Sequence, residues 1–115
     1  MIVYGIPNCN TVKKALDWLK ANELDFEFHD YKKKGITKEK LEDWATQIAW
    51  ESLVNKKGTT WRQLPPEVQN TINNKEAAFS LIIQKPSVTK RPIIESNGKI
   101  ICLGFDESQY VQLIK

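Results

Sequence analysis

Cys9 stands in Pro7-Asn8-Cys9-Asn10-Thr11, where the apolar run Ile2-Val3-Tyr4 ends and a helix-period series, Val12, Ala15, Leu16, Leu19, begins. A thiol at such a strand-to-helix corner meets the unpaired N–H groups and the positive end of the helix dipole. Both favour thiolate over thiol and bring the pKa below the ordinary value of about 8.5. Cys9 is therefore the expected nucleophile, with Lys13 and Lys14 adding positive charge nearby. The other common use of a cysteine, as a small apolar filler, suits Cys102, which lies in the apolar run Ile100-Ile101-Cys102-Leu103. Asn8, Asn10 and Thr11 are of helix-capping type, and the same side chains can orient a thiolate or a ligand. Two widely separated cysteines and one histidine, His29, form neither a disulfide framework nor a zinc ligand set, so no metal is expected.

The elements that must position Cys9 follow from hydrophobic period. Residues 1–5 read as a strand, 11–21 as a helix, and Asp25-Phe26-Glu27-Phe28-His29-Asp30-Tyr31 as a second strand with strict alternation. The three form a βαβ unit, in which the two strands are expected to be parallel. The alternation puts His29 on a strand face, with Asp25, Glu27 and Tyr31, and not in the position of a catalytic base. After Gly35 the pattern becomes helical: Thr37 can cap a helix carrying Leu41, Trp44, Ala45 and Ile48 at i, i+3, i+4, i+7. A loop over Asn55-Lys56-Lys57-Gly58-Thr59-Thr60-Trp61-Arg62, a short helix opened by Pro65-Pro66-Glu67, and a helix around Ala77, Ala78, Leu81 and Ile82 ended by Pro86 complete a block without strands. Strand pattern returns in Pro92-Ile93-Ile94-Glu95-Ser96 and Lys99-Ile100-Ile101-Cys102-Leu103, joined by the type I′ pair Asn97-Gly98. Asp106 can cap a last helix with Tyr110, Val111 and Ile114.

At 115 residues one domain is expected. The net charge of +3 is too small to predict nucleic-acid binding, and Lys32-Lys33-Lys34 before Gly35 reads as a solvated turn. No apolar run approaches the ~20 residues of a membrane span, and Met1 leads straight into a strand, so no secretory signal is read and a cytoplasmic location is expected.

The motifs Gly5-Ile6-Pro7-Asn8-Cys9-Asn10-Thr11, Phe28-His29-Asp30-Tyr31, Asn55 to Arg62, Lys90-Arg91-Pro92-Ile93 and Leu103-Gly104-Phe105 span nearly the whole chain. In this order they resemble the ArsC/Spx/YffB family, whose α/β architecture is a thioredoxin-like fold, βαβ then ββα, with a helical insertion. The resemblance implies a thioredoxin-like core at 1–34 and 87–115, a helical insert at 35–86, and the YffB-like branch. A cis proline facing the cysteine is implied at Pro92, and with it Arg91 beside Cys9 as thiolate stabiliser and anion ligand. Lys13 and Arg62 are further candidates for the cleft, although Lys13 fits solvent as well.

Departures from the family pattern narrow the activity. The dithiol switch of the Spx regulators needs a second cysteine three residues after the first, where this chain has Val12. The glutaredoxin-linked arsenate reductases hold their oxyanion with three arginines. Only Arg91 has a clear counterpart here; the other two positions fall near Asn55 and Leu103-Gly104. The resemblance then implies a thiol reductase with no bound cofactor and glutathione as co-substrate, acting on an oxidised thiol or a small oxyanion, with glutaredoxin a possible partner. Arsenate reduction and an Spx-like adaptor that binds RNA polymerase are the alternatives.

Overall fold

Ile2–Gly5 forms β1 in the computed structural model, which describes residues 1–114. Its β-branched and aromatic residues suit a pleated strand with both faces covered, and Val3 and Tyr4 are buried. The chain turns at Pro7-Asn8 into α1, Asn10–Ala21, whose buried Val12, Ala15 and Leu19 share one face. It then returns as β2, Glu27–Asp30, parallel to β1 with Val3 opposite Phe28 and Tyr4 opposite His29. The second strand is shorter than the alternation predicts. The Asp30 side chain accepts a hydrogen bond from Lys32 N–H at 2.9 Å, and this local turn makes Tyr31 the first residue of the short helix α2, Tyr31–Lys34.

The last quarter supplies β3, Ile93–Ser96, and β4, Lys99–Leu103. Asn97 and Gly98 both have positive φ, 53° and 79°, as a type I′ turn requires. The sheet order is β2-β1-β3-β4, with β3 antiparallel to both neighbours. The register shifts between Ile94, opposite Cys102, and Glu95, opposite Ile100, a bulge in the ladder. The last helix, α7, spans Glu107–Leu113 and is capped by Asp106, which accepts from Gln109 N–H at 3.2 Å. Val3, Ala15, Leu19, Ile94, Cys102 and Tyr110 form one buried cluster, so α1 and α7 cover the same sheet face. Burying each of the large aliphatic side chains there contributes about 1.5–3 kcal/mol.

The chain divides into two compact units, one of Met1–Lys34 with the chain from Arg91 onward, the other Gly35–Lys90. The helical unit runs to Lys90, beyond the expected 86. Thr89 bridges Val54, Asn55 N–H reaches Val88 O at 2.8 Å, and Lys90 N–H reaches Leu53 O at 2.8 Å, which ties residues 88–90 to the helices. This unit holds α3, Lys38–Gln47, capped by Thr37, and α6, Lys75–Gln84, capped by Asn74. Between them lie the short helices α4, Thr59–Arg62, and α5, Pro66–Gln69, and a 3₁₀ turn at Trp50–Leu53. The predicted loop over 55–62 is therefore half helical, since Asn55 turns the chain into α4 through its side chain, which accepts from Lys57 N–H at 3.2 Å. Among the described residues, no helix is long and apolar enough to cross a membrane.

Candidate active site at the head of the first helix

Cys9 is the N-cap of α1, in extended backbone (φ −111°, ψ 124°), and is partly exposed. Asn8, Asn10 and Thr11 were the expected caps; Asn10 instead opens the helix and all three are exposed. The reason is the start of α1, one residue before the expected 11: the strand closes at Gly5 as read, Ile6 is buried, and the chain reaches helical geometry directly after Cys9. A Cβ on Gly5 would lie 2.9 Å from Val12 Cγ2 and 3.3 Å from its Cγ1, so only glycine lets the first turn of α1 sit this close to the strand end.

That close seating aims backbone donors at the sulfur. Burial alone would push the Cys9 pKa up. The N–H of Val12, a hydrogen bond from Arg91, the Arg91 charge and the N–H of Thr11 together outweigh it, and the pKa falls below the ordinary thiol value. The Cys9 side chain makes no conventional capping hydrogen bond; the amides act on the ionised sulfur. Cys102 goes the other way: it is 4% exposed in the core cluster, and burial raises its pKa. Both cysteines are free thiols.

Arg91 precedes a proline corner that the end of the sheet and the last helix hold. The Arg91-Pro92 peptide is cis. Gly104 N–H donates to Pro92 O at 2.7 Å, and the buried Tyr110 hydroxyl donates to Gly104 O at 2.6 Å. The proline corner is thereby tied through β4 to α7. Lys13 N–H closes the first helical turn onto Cys9 O at 2.9 Å, but the Lys13 side chain is exposed and is not among the groups that act on the Cys9 sulfur. Arg62 ends α4 in the helical unit and is exposed; its neighbour Trp61 is buried under Lys56, whose Nζ lies 5.5 Å from the ring centroid. Within one unit the fold thus joins Cys9, the amides of Thr11 and Val12, and Arg91 before Pro92.

Sequence reading missed a polar group on the opposite sheet face from Cys102. Glu95 is 3% exposed and accepts a hydrogen bond from the Tyr4 hydroxyl at 3.1 Å. The Tyr4 ring lies 4.7 Å from that of His29 and 6.2 Å from that of Tyr31. The signal was present in Pro92-Ile93-Ile94-Glu95, a charge in a strand otherwise apolar up to that point.

The site thus combines a cysteine at the N-cap of α1 with an arginine before a cis proline. The model of the ArsC family matches residues 4–113. The chain belongs to the ArsC family. An uncharacterized protein of Haemophilus influenzae is 44% identical over 108 residues, 94% of this chain and 93% of that one. The global transcriptional regulator Spx of Lactiplantibacillus plantarum is 25% identical over 95% of this chain and 82% of its own. Among solved structures, a protein designated YFFB (PA3664) superposes with TM-score 0.90 at 34% identity, over 99% of this chain and 98% of that one. An arsenate reductase (ArsC) related protein from Brucella melitensis superposes with TM-score 0.78 at 41% identity, over 99% and 93%. The thioredoxin-like reading of this ArsC-family fold holds across the full βαβ and ββα order.

Proposed function

We propose that the protein is a thiol-dependent reductase that works through the single nucleophile Cys9 and uses glutathione to resolve the intermediate. The observation that carries this reading is the Cys9 sulfur under the Val12 and Thr11 amides and the Arg91 guanidinium, with its pKa lowered. In the first step the Cys9 thiolate attacks one sulfur of a disulfide R–S–S–R′. A Cys9–S–S–R bond forms and R′S⁻ leaves, taking a proton from solvent. Glutathione thiolate then attacks the R sulfur, giving R–S–SG and regenerating the Cys9 thiolate. A second glutathione releases RSH and oxidised glutathione, so two electrons pass from two glutathiones to the disulfide.

A small thiol fits this site for two reasons. Val12 occupies the position where an internal resolving cysteine would sit, and Cys102 is buried in the core. The helix N-terminus and Arg91 offer donors to a glutathione carboxylate, with Asn8, Asn10 and Thr11 exposed beside Cys9 and the buried Pro92 next to Arg91. Reduction of an oxyanion such as arsenate would use the same thiolate, a reading favoured by the relatedness to the Brucella melitensis protein. The similarity to Spx favours an adaptor that binds RNA polymerase, for which pull-down of polymerase by the Cys9→Ser protein is the test.

Turnover of a small mixed disulfide with glutathione separates these readings. Wild type turns over and Cys9→Ser does not, while Cys102→Ser keeps its rate. A Cys9→Ser protein with full activity overturns the proposal.

A further inference from the structure

We infer that Glu95 is a positioning residue: its buried carboxylate, held by Tyr4, anchors the Arg91 guanidinium and so keeps it on Cys9. The inference rests on Cys9 being the reacting thiol. Glu95 is on β3, opposite Ile2 on β1, with Tyr4 one step further along the same face of β1 opposite Ile93. A carboxylate 3% exposed needs more than one neutral hydrogen bond to remain in a fold. The Tyr4 hydroxyl supplies one donor, at 3.1 Å, and a nearby cation would stabilise the buried charge further.

The described lysines of this unit, Lys13, Lys14, Lys20, Lys32, Lys33, Lys34 and Lys99, are all exposed, whereas Arg91 is half-buried at the entry to the strand that carries Glu95. Tyr31 locates both charges. Its hydroxyl is buried and without a hydrogen-bond partner among the described residues, and burial, then Tyr4, raises its pKa well above the ordinary value. Arg91 opposes that rise and Glu95 adds to it, so both charges lie within electrostatic reach of the same buried phenol. Glu95 does not act on the Cys9 sulfur itself. Its influence on the thiol must pass through Arg91, a long side chain whose rotamer freedom an anchor removes.

The other polar groups around Glu95 are His29, whose ring is tilted against that of Tyr4; Tyr31; Ser96; and Lys99 across the β3–β4 turn. The test is the pH dependence of Cys9 alkylation by iodoacetamide in a Cys102→Ser background. Glu95→Gln keeps the shape and a partner for Tyr4 but loses the charge. We expect its alkylation at neutral pH to slow by at least about twofold, the lower end of coupling between contacting residues, with the midpoint moved to higher pH. In Arg91→Ala protein the same substitution adds nothing. Tyr4→Phe, which frees the carboxylate from its donor, moves the profile in the same direction and guards against a folding defect in one variant. Faster alkylation in Glu95→Gln, an unchanged profile, or an equal shift without Arg91 overturns the inference. A wild-type thiol with an ordinary midpoint instead overturns the proposed function.

Discussion

Replacing Arg91 by alanine removes both a hydrogen bond to the Cys9 sulfur and a full positive charge beside it, while leaving the Val12 and Thr11 amides in place. A hydrogen bond to a charged group contributes about 1.5–3 kcal/mol. Both side chains are partly exposed, so solvent screening puts the loss at the lower end of that range. At 1.36 kcal/mol per factor of ten, the thiolate-to-thiol ratio at a given pH falls about tenfold. Part of the kinetic effect is returned, because a more basic thiolate is a better nucleophile with a Brønsted slope of about 0.4–0.5. Alkylation below the midpoint therefore slows by about three- to fourfold, while the high-pH plateau rises by about threefold. The assay is the iodoacetamide rate against pH in the Cys102→Ser protein, with and without Arg91→Ala. The opposing changes at low and high pH are the signature of a shifted thiolate. A uniform fall at every pH, or an unchanged midpoint, would refute the role of Arg91 at the sulfur.

Other consequences follow from the same geometry. Gly5→Ala places a methyl group 2.9 Å from a buried Val12 side chain and should cost about 1–3 kcal/mol in urea unfolding; by moving the Val12 amide it should also slow Cys9 alkylation. A variant that loses stability but keeps the wild-type alkylation profile would show that the close seating does not aim the amide. Tyr110→Phe leaves the Gly104 carbonyl without the donor now at 2.6 Å, and the urea midpoint should fall by the equivalent of about 1–3 kcal/mol with an unchanged slope. The pH dependence of stability has a definite sign. The folded Cys9 pKa is below its unfolded value, so between the two the unfolded chain holds more protons and stability rises with pH. That contribution is fully present above the ordinary thiol value and lost as pH falls through the folded Cys9 value. The stability difference between the wild type and Cys9→Ser should grow with pH across this window, and a flat difference would contradict the lowered pKa.

Much of this arrangement was legible in the chain because the signals were local. Cys9 sits where strand period gives way to helix period, Asn97-Gly98 names its own turn, and Thr37 and Asp106 are capping residues ahead of apolar stripes. Reading failed where a competing local bond decided the outcome. Asp30 pulls Lys32 into a turn and ends β2 early, and Asn55 does the same for Lys57 and shortens the loop before α4. The placement of Arg91 beside Cys9 came through family resemblance, since 82 positions separate the two and no period links them. The Tyr4–Glu95 hydrogen bond was invisible for the same reason: its partners are 91 residues apart, and the strand pairing that joins them depends on an antiparallel β3 beside β1.

The central claim, that Cys9 is a thiolate nucleophile resolved by a small thiol, is tested most directly by mass spectrometry of the folded Cys102→Ser protein incubated with glutathione disulfide. The account predicts one glutathione adduct, at Cys9, formed with a pH midpoint below the ordinary thiol value, slowed by Arg91→Ala and removed by added glutathione. A protein that stays unmodified while folded, or that reacts only as an ordinary thiol does, would contradict it.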